Sequence, residues 1–367
     1  MATGLFFDEW CLWHSAGELV MYLPVEGYLQ PPASPASEGP ETKRRIKNLV
    51  EVSGLGRHLN WSSAPRASRE DLLRVHPASY LDRFKAMSDD RGGAMEPGTG
   101  FAKGGYEIAT LSAGLAKAGI AEVMAGRLAN AYVLSRPPGH HCLPDQGMGF
   151  CLLANIPVAL EALRAEMGPV RVAVVDWDVH HGNGTEAIFY DRADTLTISL
   201  HQEGLYPNNS GHAGDRGRGA GTGYNLNIPL LPGSGHQAYL DAFEVLVIPA
   251  LRGFRPDLIV IASGLDASAF DPLARMQAHS GTYRAMTQAL MGEAAALCGG
   301  RLVAIHEGGY ADAYVPFCGL AVIEELSGHR TPVMDPWLDV LMAQQPPQDM
   351  QALQRARLEA QARAVFG

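Results

Sequence analysis

Two histidine pairs carry most of the chemistry this chain could do. Arg136-Pro137-Pro138-Gly139-His140-His141 sets adjacent histidines on a loop stiffened by two prolines and released by a glycine. Asp176-Trp177-Asp178-Val179-His180-His181-Gly182 follows an apolar run, and the succeeding Asn183-Gly184 marks the end of a strand. On an extended chain, residues two apart point the same way, with Cα atoms about 6.5 Å apart. Asp176, Asp178 and His180 therefore share a face, and Asp178 and His180 converge on one metal where the strand stops. Asp176 lies one step deeper, better placed to brace another group. A third ligand is expected from a neighbouring strand end, where Asp266 follows an apolar run and Gly264-Leu265. The other reading of Asp266 is a hydrogen-bonded carboxylate closing a strand. Two carboxylates, one imidazole and an open position describe a catalytic zinc site rather than a closed structural one.

Two carboxylate ligands leave more negative charge on such a metal than three imidazoles would, so its water is acidified less. A separate base is then needed, and the His140-His141 tandem offers it: one imidazole takes the water proton and later protonates a leaving amine. Asp176 is the expected orienting partner of one histidine and Asn183 of the other. A carboxylate raises imidazole basicity more than an amide does, so the Asn183-paired histidine is expected to cycle its proton. Amide hydrolysis also needs a donor for the developing oxyanion. Glu307-Gly308-Gly309-Tyr310, after the run 302–306, could swing a phenol into the site; a tyrosine packed at a turn is the plainer alternative.

Five short apolar runs would position these groups: 131–135, 171–176, 195–200, 258–263 and 302–306. All are rich in Val, Ile and Leu on both faces, as strands of a parallel sheet covered on each side are. Helices are expected over 105–125, 156–167, 236–251 and 280–297. The alternation argues for a doubly wound, three-layer α/β fold, whose ligands sit beyond the carboxyl ends of the strands. Segments 31–40 (Pro/Ser-rich) and 88–105 (Gly-rich) are expected to be surface loops, and 348–364 a polar surface helix.

The chain has 367 residues, 47% hydrophobic and 19% charged, enough for a large core in a single domain over 1–367. Lys+Arg of 29 against Asp+Glu of 39 gives a net charge of -10, which lacks the basic footprint of a nucleic-acid binder. Its cysteines, Cys11, Cys142, Cys151, Cys298 and Cys318, are odd in number and irregularly spaced, so reduced thiols in a cytoplasmic protein are expected. Cys142 and Cys151, beside the site, are expected to be packing residues rather than a redox switch. The acidic N-terminus does not read as a secretory signal, and no apolar run is long enough to span a membrane. The composition leaves a homo-oligomer open.

These strings, with Gly147-Met148-Gly149-Phe150-Cys151, Asp271-Pro272-Leu273, Glu41-Thr42-Lys43-Arg44-Arg45 and His76-Pro77-Ala78-Ser79-Tyr80, resemble the zinc-dependent histone deacetylase superfamily. The resemblance runs from about residue 40 to 328, leaving 335–367 as a C-terminal helical extension, and is greatest to bacterial class II-like histone deacetylase-like amidohydrolases. It implies an arginase–deacetylase fold with a central parallel sheet of about eight strands. It implies zinc on Asp178, His180 and Asp266, proton transfer by His140 and His141, and oxyanion donation by Tyr310. It further implies a structural potassium on Asp176, Ser199 and the carbonyls of Asp178, His180 and Leu200. The substrate channel would be lined by Gly149 and Phe150, with Leu273 near the rim. Two positions depart from other members: Tyr206 stands where the second wall is usually phenylalanine, and Asn183 where class I members carry aspartate.

The leading expectation is hydrolysis of N6-acyl-lysine amides on a peptide or protein, with an acetylpolyamine as the alternative small acylated amine. An acidic gatekeeper at the rim would suit a polyamine, and Leu273 is apolar; rim acids such as Glu96 or Asp89 would tilt the balance back. A binuclear manganese ureohydrolase would need metal ligands where the His-His tandem stands, and a dead binding module would not need Tyr310.

Overall fold

The computed structural model describes residues 2–15, 19–20, 23–24 and 38–367. Twelve strands occur among the described residues: β1 (Thr3–Phe6), β2 (Leu19–Val20), β3 (Leu23–Pro24), β4 (Leu59–Ser62), β5 (Gly92–Ala94), β6 (Gly100–Ala102), β7 (Asn130–Val133), β8 (Val172–Asp176), β9 (Thr195–Gln202), β10 (Asn225–Leu230), β11 (Leu258–Ser263) and β12 (Leu302–His306). Eight of them make one sheet in the order β10-β9-β8-β11-β12-β7-β1-β4. Every pairing in it is parallel.

The central strands are apolar on both faces because both faces are covered. In β11, Ile259 and Ile261 enter one core cluster while Leu258, Val260 and Ala262 enter the other, and β8 and β12 alternate the same way. Helices Gly105–Met124 and Asn155–Met167 cover one face through Leu111, Leu115, Ile120, Ile156 and Leu160. Helices Glu41–Val52, Ser280–Cys298 and Val315–Ser327 cover the other through Ile46, Tyr283, Leu290 and Val322. This is the three-layer α/β sandwich expected from the alternation of apolar runs and helical stretches.

The structure departs from the expectation in three places. Three sheet strands, β1, β4 and β10, were not anticipated, and β1 lies inside the sheet although it precedes the motif-bearing region. Segment 88–105 is not a plain loop: it holds the end of helix Ala78–Asp90 and the antiparallel β5–β6 hairpin. The helix anticipated over 236–251 runs from His236 to Phe254 through a π-helical stretch, Phe243–Val247. Of the 31–40 loop, residues 31–37 lie outside the described residues. The C-terminal helix Gln348–Phe366 buries only Gln354 and Leu358 and docks by polar contacts, Arg355 to Asp241 and Glu244 among them.

β8, β11, β12 and β7 are neighbours in the sheet, and each leads directly into a segment bearing one of the sequence signals. The polar residues scattered over 136–310 are therefore gathered at one edge, beyond the carboxyl ends of four adjacent strands.

Candidate active site

Asp178 and His180 follow β8, and Asp266 follows β11, its partner in the sheet. All three are buried, with candidate ligand atoms within 4.8 Å of one another. His180 Nδ1 lies 3.1 Å from Asp178 Oδ1 and 3.1 Å from Asp266 Oδ2. The remaining carboxylate oxygens are aimed by the backbone, with Val179 N–H donating to Asp266 Oδ1 (2.8 Å) and Gly308 N–H to Asp178 Oδ2 (2.9 Å). A Cβ on residue 308 would strike both carboxylates, so only glycine allows that approach. Burial and the charge of Asp178 push the Asp266 carboxyl up to about 6. Burial also works against Asp178, but His140 and His180 outweigh it and keep that carboxyl ionised. Among the described residues no lysine or arginine pairs with either acid. Two buried acids facing one imidazole are a costly arrangement without a cation, and they offer the hard-to-borderline donor set a divalent metal takes.

The tandem histidines are held from both sides. His140 Nδ1 lies 3.0 Å from Asp176 Oδ2, and His141 Nδ1 lies 2.7 Å from Asn183 Oδ1. His140 Nε2 is 3.8 Å from Asp178 Oδ2, and the two imidazole centroids are 4.0 Å apart. Burial opposes charge on both rings. The carboxylates of Asp178 and Asp176 overcome it at His140, which is raised well above the usual histidine range. At His141 burial is joined by the charges of His140 and His180, which hold the ring well below that range. The adjacent rings are thus pushed in opposite directions, His140 towards its charged form and His141 towards its neutral one.

Glu307, quoted in the sequence only as part of a motif, brackets this loop. Its Oε2 accepts from Gly139 N–H (2.6 Å) and His140 N–H (3.1 Å), and burial raises the carboxyl to about 7. His140, Cys151 and Glu307 also lie close enough to hold an ion; Glu307 Oε2 is taken by the loop amides, its Oε1 is buried without a partner among the described residues, and Cys151 Sγ accepts from His141 N–H (3.4 Å). All five cysteines are free and buried, and burial raises the Cys142 and Cys151 thiols, which suits packing rather than redox traffic.

Asp271 is a second residue whose role was not read from the sequence. Its carboxylate accepts from Tyr310 N–H (2.8 Å) and Leu273 N–H (2.9 Å), fixing both positions at once. Burial, then Asp178 and Asp266, raise the Tyr310 phenol well above its usual range, so it keeps its proton and remains a donor. Its ring centroid lies 6.4 Å from that of His180 and 5.8 Å from that of Phe150.

A cavity of about 310 Å³ opens over these groups. His141, His180 and Tyr310 line it, together with Gly149, Phe150, Tyr206 and Leu273. Glu96 lines it too, whereas Asp89 turns aside to Lys85. Tyr206 meets His141 edge-on, with centroids 5.0 Å apart. A larger hollow of about 390 Å³ near Arg171 and Phe254 contains none of these groups.

Deeper in the fold, the parallel register sets Asp176 opposite Ser199, with Leu200 next along β9. Asp176 Oδ1 accepts from Asp178 N–H (3.0 Å), and Ser199 Oγ lies 2.9 Å from His201 Nδ1.

The histone deacetylase domain model matches residues 37–326. This chain belongs to the histone deacetylase family. It is 60% identical over 366 residues to a histone deacetylase-like amidohydrolase of Pseudomonas aeruginosa, covering 100% of this chain and 96% of that one. A probable deacetylase of Archaeoglobus fulgidus is 38% identical over 264 residues, 72% of this chain and 73% of its own. The crystal structure of the HDA15 HD domain superposes with a TM-score of 0.81 at 34% identity, covering 98% of this chain and 99% of that one. The family fold is the arginase–deacetylase fold with its central parallel sheet, as the resemblance implied. The chain is accordingly a hydrolase of the deacetylase and amidohydrolase type, and the family suggests a metal ion for the buried acid–imidazole cluster.

Proposed function

We propose that this deacetylase hydrolyses N6-acyl-lysine amides, acetyl-lysine first among them, with zinc held by Asp178, His180 and Asp266. One observation carries the reading: two imidazoles, one backed by a carboxylate and one by an amide, stand against a three-ligand cluster whose His180 lines an aromatic-walled cavity. An extended alkyl amide fits such a channel, and Leu273 offers its mouth an apolar contact.

Zinc bound there supplies a Lewis acid that polarises the amide carbonyl and makes water a better nucleophile. His141, neutral and steered by Asn183, takes the proton from the attacking water and returns it to the leaving lysine amine. His140, pushed towards its charged form by Asp178 and Asp176 and oriented by Asp176, stabilises negative charge beside it. Tyr310 donates its O–H to the developing oxyanion. Phe150 and Tyr206 exclude water from the sides of the acylated side chain, its acyl group included, and Gly149 lets His141 and Tyr206 approach closely. Potassium would be held by Asp176, Ser199 and the carbonyls of Asp178, His180 and Leu200, behind the reacting groups. The whole chain acts as one catalytic domain, and the cytoplasm is its proposed compartment; no helix among the described residues is long and apolar enough to cross a membrane.

A second reading, hydrolysis of an acetylpolyamine, has the Glu96 carboxylate in the cavity wall in its favour. Acetate release from an acetyl-lysine peptide and from an acetylpolyamine decides between them, on chelator-stripped protein with and without added zinc. Zinc-restored turnover favouring the peptide supports the acyl-lysine reading. Turnover favouring the polyamine moves the substrate, and no turnover of either overturns both.

A further inference from the structure

The tip of the β5–β6 hairpin is Glu96-Pro97-Gly98-Thr99, and it closes on itself with Thr99 N–H donating to Glu96 O (3.0 Å). Proline at the second position and glycine at φ +91° at the third are the type II turn pattern. The two ends of this turn reach across to both walls of the acyl cavity. Glu96 Oε1 accepts from Tyr206 O–H (2.8 Å), from Gly149 N–H (2.8 Å) and from its own turn through Thr99 Oγ1 (3.3 Å). Thr99 Oγ1 in turn accepts from Phe150 N–H (3.0 Å). All three of these donors are neutral, and all three meet the same oxygen, Glu96 Oε1.

The segment that receives these bonds is held in an unfavourable shape. Gly149 and Phe150 both have positive φ, +55° and +67°, and for phenylalanine that region is sparsely populated. Phe150 keeps this backbone where its amide is pinned by Thr99 and its neighbour's by Glu96. The same carboxylate accepts the hydrogen bond of the Tyr206 hydroxyl. Tyr206 lines the cavity, and the polar atom that distinguishes it from phenylalanine is already satisfied.

We propose that the Glu96–Thr99 turn is a clasp that fixes the spacing of Phe150 and Tyr206 and so sets which acyl groups the channel accepts, Glu96 being the principal positioning residue. The clasp rests on the deacetylase reading for what occupies the channel, and on hydrogen bonds alone for the channel's shape. Loosening it lets the two walls part, at the expense of the smallest acyl group, which needs the closest fit.

The test is kcat and KM for peptides bearing acetyl-, propionyl- or butyryl-lysine. The proteins are the wild-type chain, Glu96→Ala, Glu96→Gln, Tyr206→Phe and the Glu96→Ala/Tyr206→Phe double variant. For Glu96→Ala, KM for acetyl-lysine should rise about three- to tenfold, the range a lost hydrogen bond allows, with kcat within about twofold. The preference for acetyl over butyryl should narrow. Glu96→Gln, which keeps an acceptor oxygen, should recover most of the loss. The double variant should be no worse than the weaker single variant, because both break one link. Equal losses for all acyl lengths, or additive losses in the double variant, overturn the clasp. If the wild-type chain prefers acylated polyamines, the acyl-lysine reading fails and the same series on polyamines judges the clasp. If neither amide turns over, calorimetric affinity of the zinc-loaded proteins for hydroxamates with short and bulky chains judges it; unchanged discrimination in Glu96→Ala overturns it.

Discussion

Tyr310 keeps its phenolic proton because burial beside Asp178 and Asp266 makes the phenolate costly. A donor held in that way helps most when negative charge grows on the substrate oxygen and little before. Tyr310→Phe should therefore lower kcat by about a hundred- to a thousandfold, the usual loss for one oxyanion donor. Affinity for a non-reacting hydroxamate should change only about threefold or less. Parallel losses in both would make Tyr310 a packing residue. Leu273 is tied through its N–H to the Asp271 carboxylate that also holds Tyr310, so a new side chain at 273 has a fixed starting point at the rim. Leu273→Glu adds a second rim carboxylate to that of Glu96 and should raise acetylpolyamine turnover relative to acetyl-lysine turnover. An unchanged ratio would remove Leu273 as a gatekeeper.

The elements explain why some of this was readable in advance. β8, β11 and β12 are continuous Val/Ile/Leu runs because they are central and covered on both faces, and such runs stand out in sequence. β1, with Thr3 and Gly4, is four residues long and stabilised by neighbours far along the chain, so it carries no local signature. β10 is an edge strand in which Asn225, Asn227 and Pro229 interrupt the apolar pattern, and it too was missed. The ligand and histidine signals were legible because each sits within a few residues of a strand end. The Glu96–Tyr206 link spans 110 positions and joins a hairpin tip to a distant loop, so spacing said nothing about it. The convergence of β8 and β11 also has a thermal consequence. Without a cation, Asp178 and Asp266 face each other buried, and a metal that binds only the folded chain adds about 2.7 kcal/mol at a hundredfold excess over its Kd. Chelator-stripped protein should therefore melt at lower temperature, and zinc should restore the midpoint. Asp266→Asn should lose that zinc response, and a full response in the variant would exclude Asp266 as a ligand.

At the scale of the whole molecule, the catalytic loop is moored to the N-terminal segment by a buried ionic cluster that the sequence did not announce. Arg136, immediately before Pro137-Pro138-Gly139-His140-His141, donates to Cys11 O (3.1 Å), His14 O (2.7 Å) and Glu38 Oε1 (2.9 Å). Lys43 donates to the same Glu38 oxygen at 3.0 Å. Burial opposes the Glu38 charge, but Arg136 and Lys43 outweigh it and lower the carboxyl from 4.5 to about 2. Burial, reinforced by Arg136, lowers His14 from 6.5 to about 3, so that ring is neutral in the folded chain. Both shifts act in the same direction. Well above pH 6.5 neither group takes up a proton in either state, and their contribution to stability is complete. As the pH falls, the unfolded chain protonates first, at His14 below 6.5 and at Glu38 below 4.5, and stability drains until the folded values near 3 and 2 are passed. Glu38→Gln leaves two buried cations short of a counter-charge and should cost about 3–5 kcal/mol at neutral pH, as breaking a buried pair does. Its urea-unfolding free energy should also fall less steeply than the wild type's between pH 4.5 and 2, because the titrating group is gone. Parallel curves for the two proteins through that window would mean that Glu38 is not the group that couples the fold to acid, and the mooring would then have to rest on the neutral bonds from Arg136 to the Cys11 and His14 carbonyls.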